Sequence, residues 1–169
     1  MPDLDKANSP KGAPKDAAAV KIFPPGVPIA TVILGVVLNI IWPLGSTLLP
    51  PAPLRYWLGA VIIIAAIYYL GYRAISVMRD SGQSVNPYRK TTEILETGPY
   101  RMTRNPMYMQ MVLVCVGFAV LLGNIWILLL TPVCGLLLHY LAILPEEAYL
   151  ERKFGNDYLD YKRKVRRWI

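Results

Sequence analysis

The chain has 169 residues, of which 54% are hydrophobic and 17% charged, against about 45–50% and about 25% in an ordinary soluble domain. That balance argues against a water-soluble globule and for a single domain whose apolar residues are gathered into membrane-spanning segments. The net charge of +7 comes from 18 Lys and Arg against 11 Asp and Glu. Because the basic residues border apolar runs, they read as lipid-headgroup contacts and topology signals, and nucleic acid is not expected as a partner.

Residues 1–24 hold Pro2, Pro10, Pro14 and Pro24 with three Asp, four Lys and no apolar period, the composition of a disordered tail. Residues 27–49 carry no charge and at about 1.5 Å per residue reach about 34 Å, enough to cross a hydrocarbon core of ~30 Å. Pro43 predicts a kink in this first span. A turn at Pro50, Pro51 and Pro53 leads into a second span over 54–72, broken only by Arg55, whose long side chain can snorkel. Residues 73–105 are polar and turn-rich (Ser81-Gly82, Asn86-Pro87, Gly98-Pro99), and a structured loop of that length is usually functional.

Residues 107–144 form a run of 38 without a charge, and a single straight helix of that length would extend about 57 Å. The turn signal Gly123-Asn124 divides it into a hairpin of two spans, 106–122 and 125–144. Asn105-Pro106 reads as the start of the first, with Asn as cap and Pro in the opening turn. Beyond Pro145, residues 146–168 place Leu150, Phe154, Tyr158 and Tyr161 at helical spacing among charges, which predicts an amphipathic helix along the membrane surface. Cys115 and Cys134 lie in apolar runs with no His or Cys at ligand spacing, so neither a metal site nor a disulfide framework is readable.

The expected fold is therefore all-α and integral to the membrane. It has about four transmembrane helices, a tail over 1–24 and a membrane domain over 25–169, with the chemistry in the second half from about residue 82. Four spans put both termini on one face together with 17 of the 18 Lys and Arg and all 11 acidic residues, leaving Arg55 alone opposite. The positive-inside rule makes that face cytoplasmic, in a multi-pass protein of the inner or cell membrane.

Three polar clusters converge there: residues 91–100, the helix start 104–108, and Glu146-Glu147. The hairpin brings the second and third to one depth. A basic side chain, an open helix N-terminus and two carboxylates around one pocket suit an amphoteric ligand with a carboxylate and an ammonium.

The run Thr92-Glu93-Ile94-Leu95-Glu96-Thr97-Gly98-Pro99-Tyr100, then Arg104-Asn105-Pro106-Met107-Tyr108, an apolar hairpin, and Glu146-Glu147 followed by Leu150, Phe154-Gly155, Tyr158 and Tyr161 resembles the isoprenylcysteine carboxyl methyltransferase and phospholipid methyltransferase family over about residues 82–169. The resemblance implies an integral membrane enzyme using S-adenosyl-L-methionine. It implies cofactor contacts at Thr92, Glu93, Ile94, Leu95, Tyr100, Asn105, Pro106, Met107, Tyr108 and Glu146, with Arg104 and Glu147 in support. Two positions depart from the family. Its histidine is Asn105 here, which cannot titrate near neutral pH. The arginine that prenylcysteine enzymes carry one turn before the glutamate pair is Ala142, which argues against a prenylcysteine carboxylate as substrate.

His139 lies seven residues before Glu146 on the same helical face and joins Arg104 and Glu147 as a catalytic candidate, or else is satisfied between helices. Glu146-Glu147 can also be read as solvated charges opening a surface helix, Arg104 as an interfacial anchor, and the basic run 162–167 as a headgroup patch. The acceptor implied is a lipid-like amphiphile, isoprenoid or phospholipid in kind, reaching the pocket from the bilayer, for methylation on oxygen or nitrogen. Two alternatives stand beside this reading: a nicotinamide-dependent membrane reductase of the sterol reductase type, which shares part of the arginine-to-tyrosine pattern, and a helical membrane subunit without catalytic activity.

Overall fold

The computed structural model describes residues 18, 20–45, 48–86, 89 and 91–169; most of the expected tail, residues 1–17 and 19, lies outside them. Among the described residues the chain is all-α with no strand. Its helices are α1 (Gly26–Ile41), α2 (Leu54–Asp80), α3 (Pro106–Leu122), α4 (Ile125–Phe154) and α5 (Asn156–Lys164). One 3-10 turn, Gly98–Arg101, lies in the loop between α2 and α3.

Helices α2 and α4 run 27 and 30 residues, about 40 and 45 Å at 1.5 Å per residue, more than a ~30 Å hydrocarbon core. Only 22% and 33% of their most apolar stretches are buried within the molecule, whereas the core helix of a soluble protein hides most of its apolar face. Ile40, Trp57, Ile64 and Leu136 point outward, a surface that water would penalise and lipid would not. The chain is an integral membrane protein. The shorter apolar helices α1 and α3 pack beside the long ones, α2 against α3 and α1 against α4.

Three expected boundaries are corrected. Pro43 ends α1 instead of kinking it, because the residue before a proline is driven out of the helical region. Trp42 takes φ −130°, ψ 83° after a last helical bond from its N–H to the Leu38 carbonyl. The second span continues past Tyr72 to Asp80 and is stopped by Ser81-Gly82, with Gly82 at φ 70° and the Gln83 N–H returning to the Met78 carbonyl at 2.8 Å. This is a left-handed glycine stop, and it takes eight residues from the expected loop.

The third correction concerns Pro145. The last apolar helix runs through it to Phe154, and a separate helix, α5, follows the bend at Gly155 (φ 54°). Proline cannot donate to the carbonyl four residues back. That carbonyl, Leu141, instead accepts the backbone N–H of Lys21 at 3.1 Å, within a π-helical turn over His139–Ile143 that loosens the ladder. Ala18 and Val20 are buried in the same cluster as Cys115, Cys134, Leu138 and Ala142, so the described end of the expected tail is part of the core. Both cysteines are free.

The hairpin between α3 and α4 is as expected: Gly123 at φ 62° turns the chain. The Asn124 side chain accepts from the Ile127 N–H at 3.1 Å and donates to the Gly35 carbonyl at 3.1 Å, capping α4 and fixing α1 to it. Where α2 crosses α3, a Cβ on Gly59 would stand 2.6 Å from the Cβ of Leu121, so only glycine permits the approach.

Candidate active site

Helix α3 begins at Pro106, whose missing N–H is harmless in the first turn. Asn105 occupies the cap position but makes no side-chain cap bond, a correction to its expected role. Its amide donates instead to the Glu147 carboxylate at 3.4 Å and to the Arg167 carbonyl at 3.3 Å. The N-terminal turn of α3 is thereby left without a side-chain cap, its dipole directed outward.

Beneath that turn, Glu147 is held from two sides. Arg104 donates from Nε and Nη2 to Glu147 Oε1 at 3.2 and 3.0 Å. Arg167 donates from Nε to the same oxygen at 3.1 Å and from Nη2 to Oε2 at 2.7 Å. The Glu147 side chain is 5% exposed and that of Arg104 8%, so this is a buried ion triad. Hydrogen bonds to Glu147 hold the Arg167 guanidinium above its ordinary pKa. Backbone bonds extend the clamp: Arg104 Nη1 donates to the Val165 carbonyl at 2.6 Å, the Arg104 N–H to Arg166 O at 3.0 Å, and the Thr103 hydroxyl to Arg167 O at 2.9 Å. The segment after α5 is thus laced to the segment before α3.

Glu146, one residue earlier on α4, turns the other way, into a cavity of about 370 Å³. The Tyr108 hydroxyl hydrogen-bonds its carboxylate, and its Oε2 is buried without a partner. Burial and the neighbouring Glu146 carboxylate push the Tyr100 hydroxyl above its ordinary value, so it remains a neutral donor. The Tyr100 carbonyl is fixed by the Tyr161 hydroxyl at 2.7 Å.

Of the residues singled out in the sequence, Tyr100, Arg104, Asn105, Pro106, Met107, Tyr108 and Glu146 line this one cavity. Thr92, Glu93, Ile94 and Leu95 do not. Thr92 and Glu93 are exposed, the Glu93 carbonyl accepts from the buried Gln83 amide at 2.8 Å, and Ile94 packs on the Tyr158–Tyr161–Val165 cluster. Thr91 stands at the wall in their place. Glu147 faces its arginines, not the cavity. His139 lies elsewhere, in a hollow with Thr131 and Trp168, its ring stacked on Trp168 at 6.4 Å.

The sequence did not single out Arg167, nor the walls supplied by Phe23, Met78 and Ser84. Arg167 stood in a basic run with nothing to separate it from its neighbours, and Phe23 in a stretch read as tail. Among the described residues no group of His, Cys, Asp and Glu could hold a metal ion.

A cavity with a buried unpaired carboxylate oxygen, an uncapped helix N-terminus beside Arg104, and a tyrosine hydroxyl can bind a ligand that carries an ammonium or vicinal hydroxyls at one end and a carboxylate at the other. A family model described as phospholipid methyltransferase matches residues 54–157, a span that takes in α2, the loop, α3 and α4. An uncharacterized protein of Haemophilus influenzae (strain Rd KW20) is 40% identical over 63 residues, which is 37% of this chain and the whole of that protein. No solved structure matches the chain.

Proposed function

We propose, because this chain belongs to the phospholipid methyltransferase family and is a membrane methyltransferase of that kind, that it uses S-adenosyl-L-methionine to methylate an amphiphilic acceptor held in the bilayer. The single observation that carries the reading is the Glu146 Oε2 atom, buried without a partner in the cavity that Tyr100, Asn105 and Tyr108 also line. A buried carboxylate oxygen left unpaired costs free energy unless a donor meets it. The ribose hydroxyls or the ammonium of the cofactor would be that donor.

On this reading the N–H groups in the first turn of α3, together with Arg104, would receive the cofactor's carboxylate, and the rings of Tyr100 and Tyr108 would face its cationic centre. Bound there, the cofactor supplies an electrophilic methyl group, which an oxygen or nitrogen lone pair of the acceptor takes while the carbon–sulfur bonding electrons return to sulfur. The chain's own part is positioning and exclusion of water, the main terms in such a displacement. Glu147, Arg104 and Arg167 fix the cavity floor, and Phe23, Pro24 and Met78 form the apolar wall.

Topology belongs to the same proposal. Four crossings, α1 to α4, would put the cavity on the cytoplasmic face. From Ile125 to Glu146 the chain rises about 32 Å, which sets Glu146 at the boundary of a ~30 Å core and within reach of both a soluble cofactor and a lipid head.

The test is calorimetry of the detergent-solubilised protein with S-adenosylhomocysteine and, separately, with NADPH. Binding of the first alone supports the reading. Binding of NADPH alone would transfer it to a reductase, and binding of neither would sink both.

A further inference from the structure

Between α2 and α3 a hollow of about 690 Å³ opens at the surface of the molecule. Its walls are apolar along almost their whole length: Ile62, Ala66 and Leu70 from α2, Met109 and Leu113 from α3. The hollow owes its width to local sequence. Small residues at Ala65 and Ala66 lead into a π-helical turn over Ala66–Tyr72, and such turns bulge the helix at the point where they occur. Its length, from Ile62 to Arg73, is about 16 Å along the helix axis, which suits one hydrocarbon chain lying parallel to the helices.

A single charged side chain, Arg73, lines it, and no acidic one does. Arg73 is exposed and makes no side-chain hydrogen bond or ion pair among the described residues, unlike Arg104 and Arg167. It stands about 28 Å along α2 from Leu54, at the depth where a ~30 Å hydrocarbon core gives way to headgroups. The upper end of the hollow meets the cofactor cavity across one peptide on each side: Pro99 lines the first and Tyr100 the second, Met109 the first and Tyr108 the second.

We infer that this groove is the seat of the methyl acceptor and that Arg73 selects for it: the occupant is an amphiphile with a carboxylate or phosphate at the polar end of its chain. The inference rests on the methyltransferase reading for the word acceptor, but the groove and its preference for an anionic head can be tested without any methyl transfer. An ammonium head would meet Arg73 with like charge, and a neutral head would leave a guanidinium at the interface unpaired. A carboxylate or phosphate accepts from it in bidentate fashion.

The experiment measures binding to the purified full chain in a neutral detergent of four probes: oleate, lysophosphatidate, oleyl alcohol and oleylamine. Each competes against a photoreactive fatty acid whose crosslinks are mapped by mass spectrometry. Oleate and lysophosphatidate are expected to compete at least about tenfold better than the alcohol and the amine, with crosslinks on Ile62, Met109 and Leu113. Arg73→Gln should erase the difference and Arg73→Lys keep most of it, while Arg166→Gln, in the basic run far along the chain, should leave it intact. An unfolding temperature of Arg73→Gln in detergent equal to that of the wild type verifies that this variant is folded.

Equal competition by all four heads, a preference that survives Arg73→Gln, or crosslinks confined to the His139–Trp168 hollow would each overturn the inference. A stronger response to oleate than to lysophosphatidate points to a carboxylate acceptor, and the reverse to a phosphate-bearing lipid. If the wild-type chain shows the Arg73-dependent preference but binds no S-adenosylhomocysteine, the lipid site stands and the methyltransferase reading falls.

Discussion

Removing the Glu147 carboxylate would leave two guanidinium groups facing each other, one of them almost wholly buried. Glu147→Ala should therefore cost about 3–5 kcal/mol, the penalty typical of breaking a buried ionic cluster, read as a fall in thermal unfolding temperature in detergent. Arg167→Ala should cost less, because its side chain is 32% exposed and solvent screens part of the interaction. Glu146→Gln should behave in the opposite sense: stability held, but S-adenosylhomocysteine affinity lowered about 10- to 100-fold in calorimetry as a charge-assisted acceptor is lost. Equal effects at 146 and 147 would mean that the two carboxylates share one role. That both belong to a polar site was readable from their place opposite Arg104 across the hairpin. Their division of labour, Glu146 toward the cofactor and Glu147 in support, came from the family resemblance alone, because it depends on helical phase and Pro145 argued that the helix restarts there. Arg167 was hidden for a related reason. Val165 is extended (φ −123°, ψ 131°), so successive side chains alternate, exposing Arg166 and turning Arg167 inward, and composition cannot report that alternation.

At the scale of helices, the pattern of uncharged runs located α3 and the α3–α4 hairpin closely, since Asn105-Pro106 and Gly123-Asn124 are backbone instructions that lipid and water environments obey alike. The ends of α1, α2 and α4 were misjudged where an expectation about the membrane replaced one about the backbone. Apolar residues 42–45 looked like more span, although a proline had already stopped the helix. Polar residues 73–80 looked like loop, although nothing before Ser81-Gly82 breaks a helix. Close approach of α2 and α3 rests on glycine, so Gly59→Leu should force the two helices apart and cost about 1–3 kcal/mol, visible in detergent unfolding and as a widened lipid groove in crosslink mapping. The same substitution at Gly45, where an added Cβ meets nothing within 4 Å, should leave stability within about 0.5 kcal/mol.

For the molecule as a whole, the arrangement of charge is its most legible property, because the positive-inside rule acts on sequence before any fold exists. With both cysteines buried, cysteines introduced at Leu48 and at Arg166 give a direct assay of sidedness in intact cells. A membrane-impermeant maleimide should label the first and not the second, and the reverse pattern would invert the proposed topology. What charge could not reveal is how the earliest part of the chain takes part in the latest. The Leu141 carbonyl, deprived of its helical donor by Pro145, is met by the Lys21 N–H, so a segment made earlier waits for a group made more than a hundred residues later. In the order of synthesis, the N–H that mends the link broken at Pro145 is made before α4 enters the membrane, so the Leu141 carbonyl need not face lipid unpaired while the following chain is made.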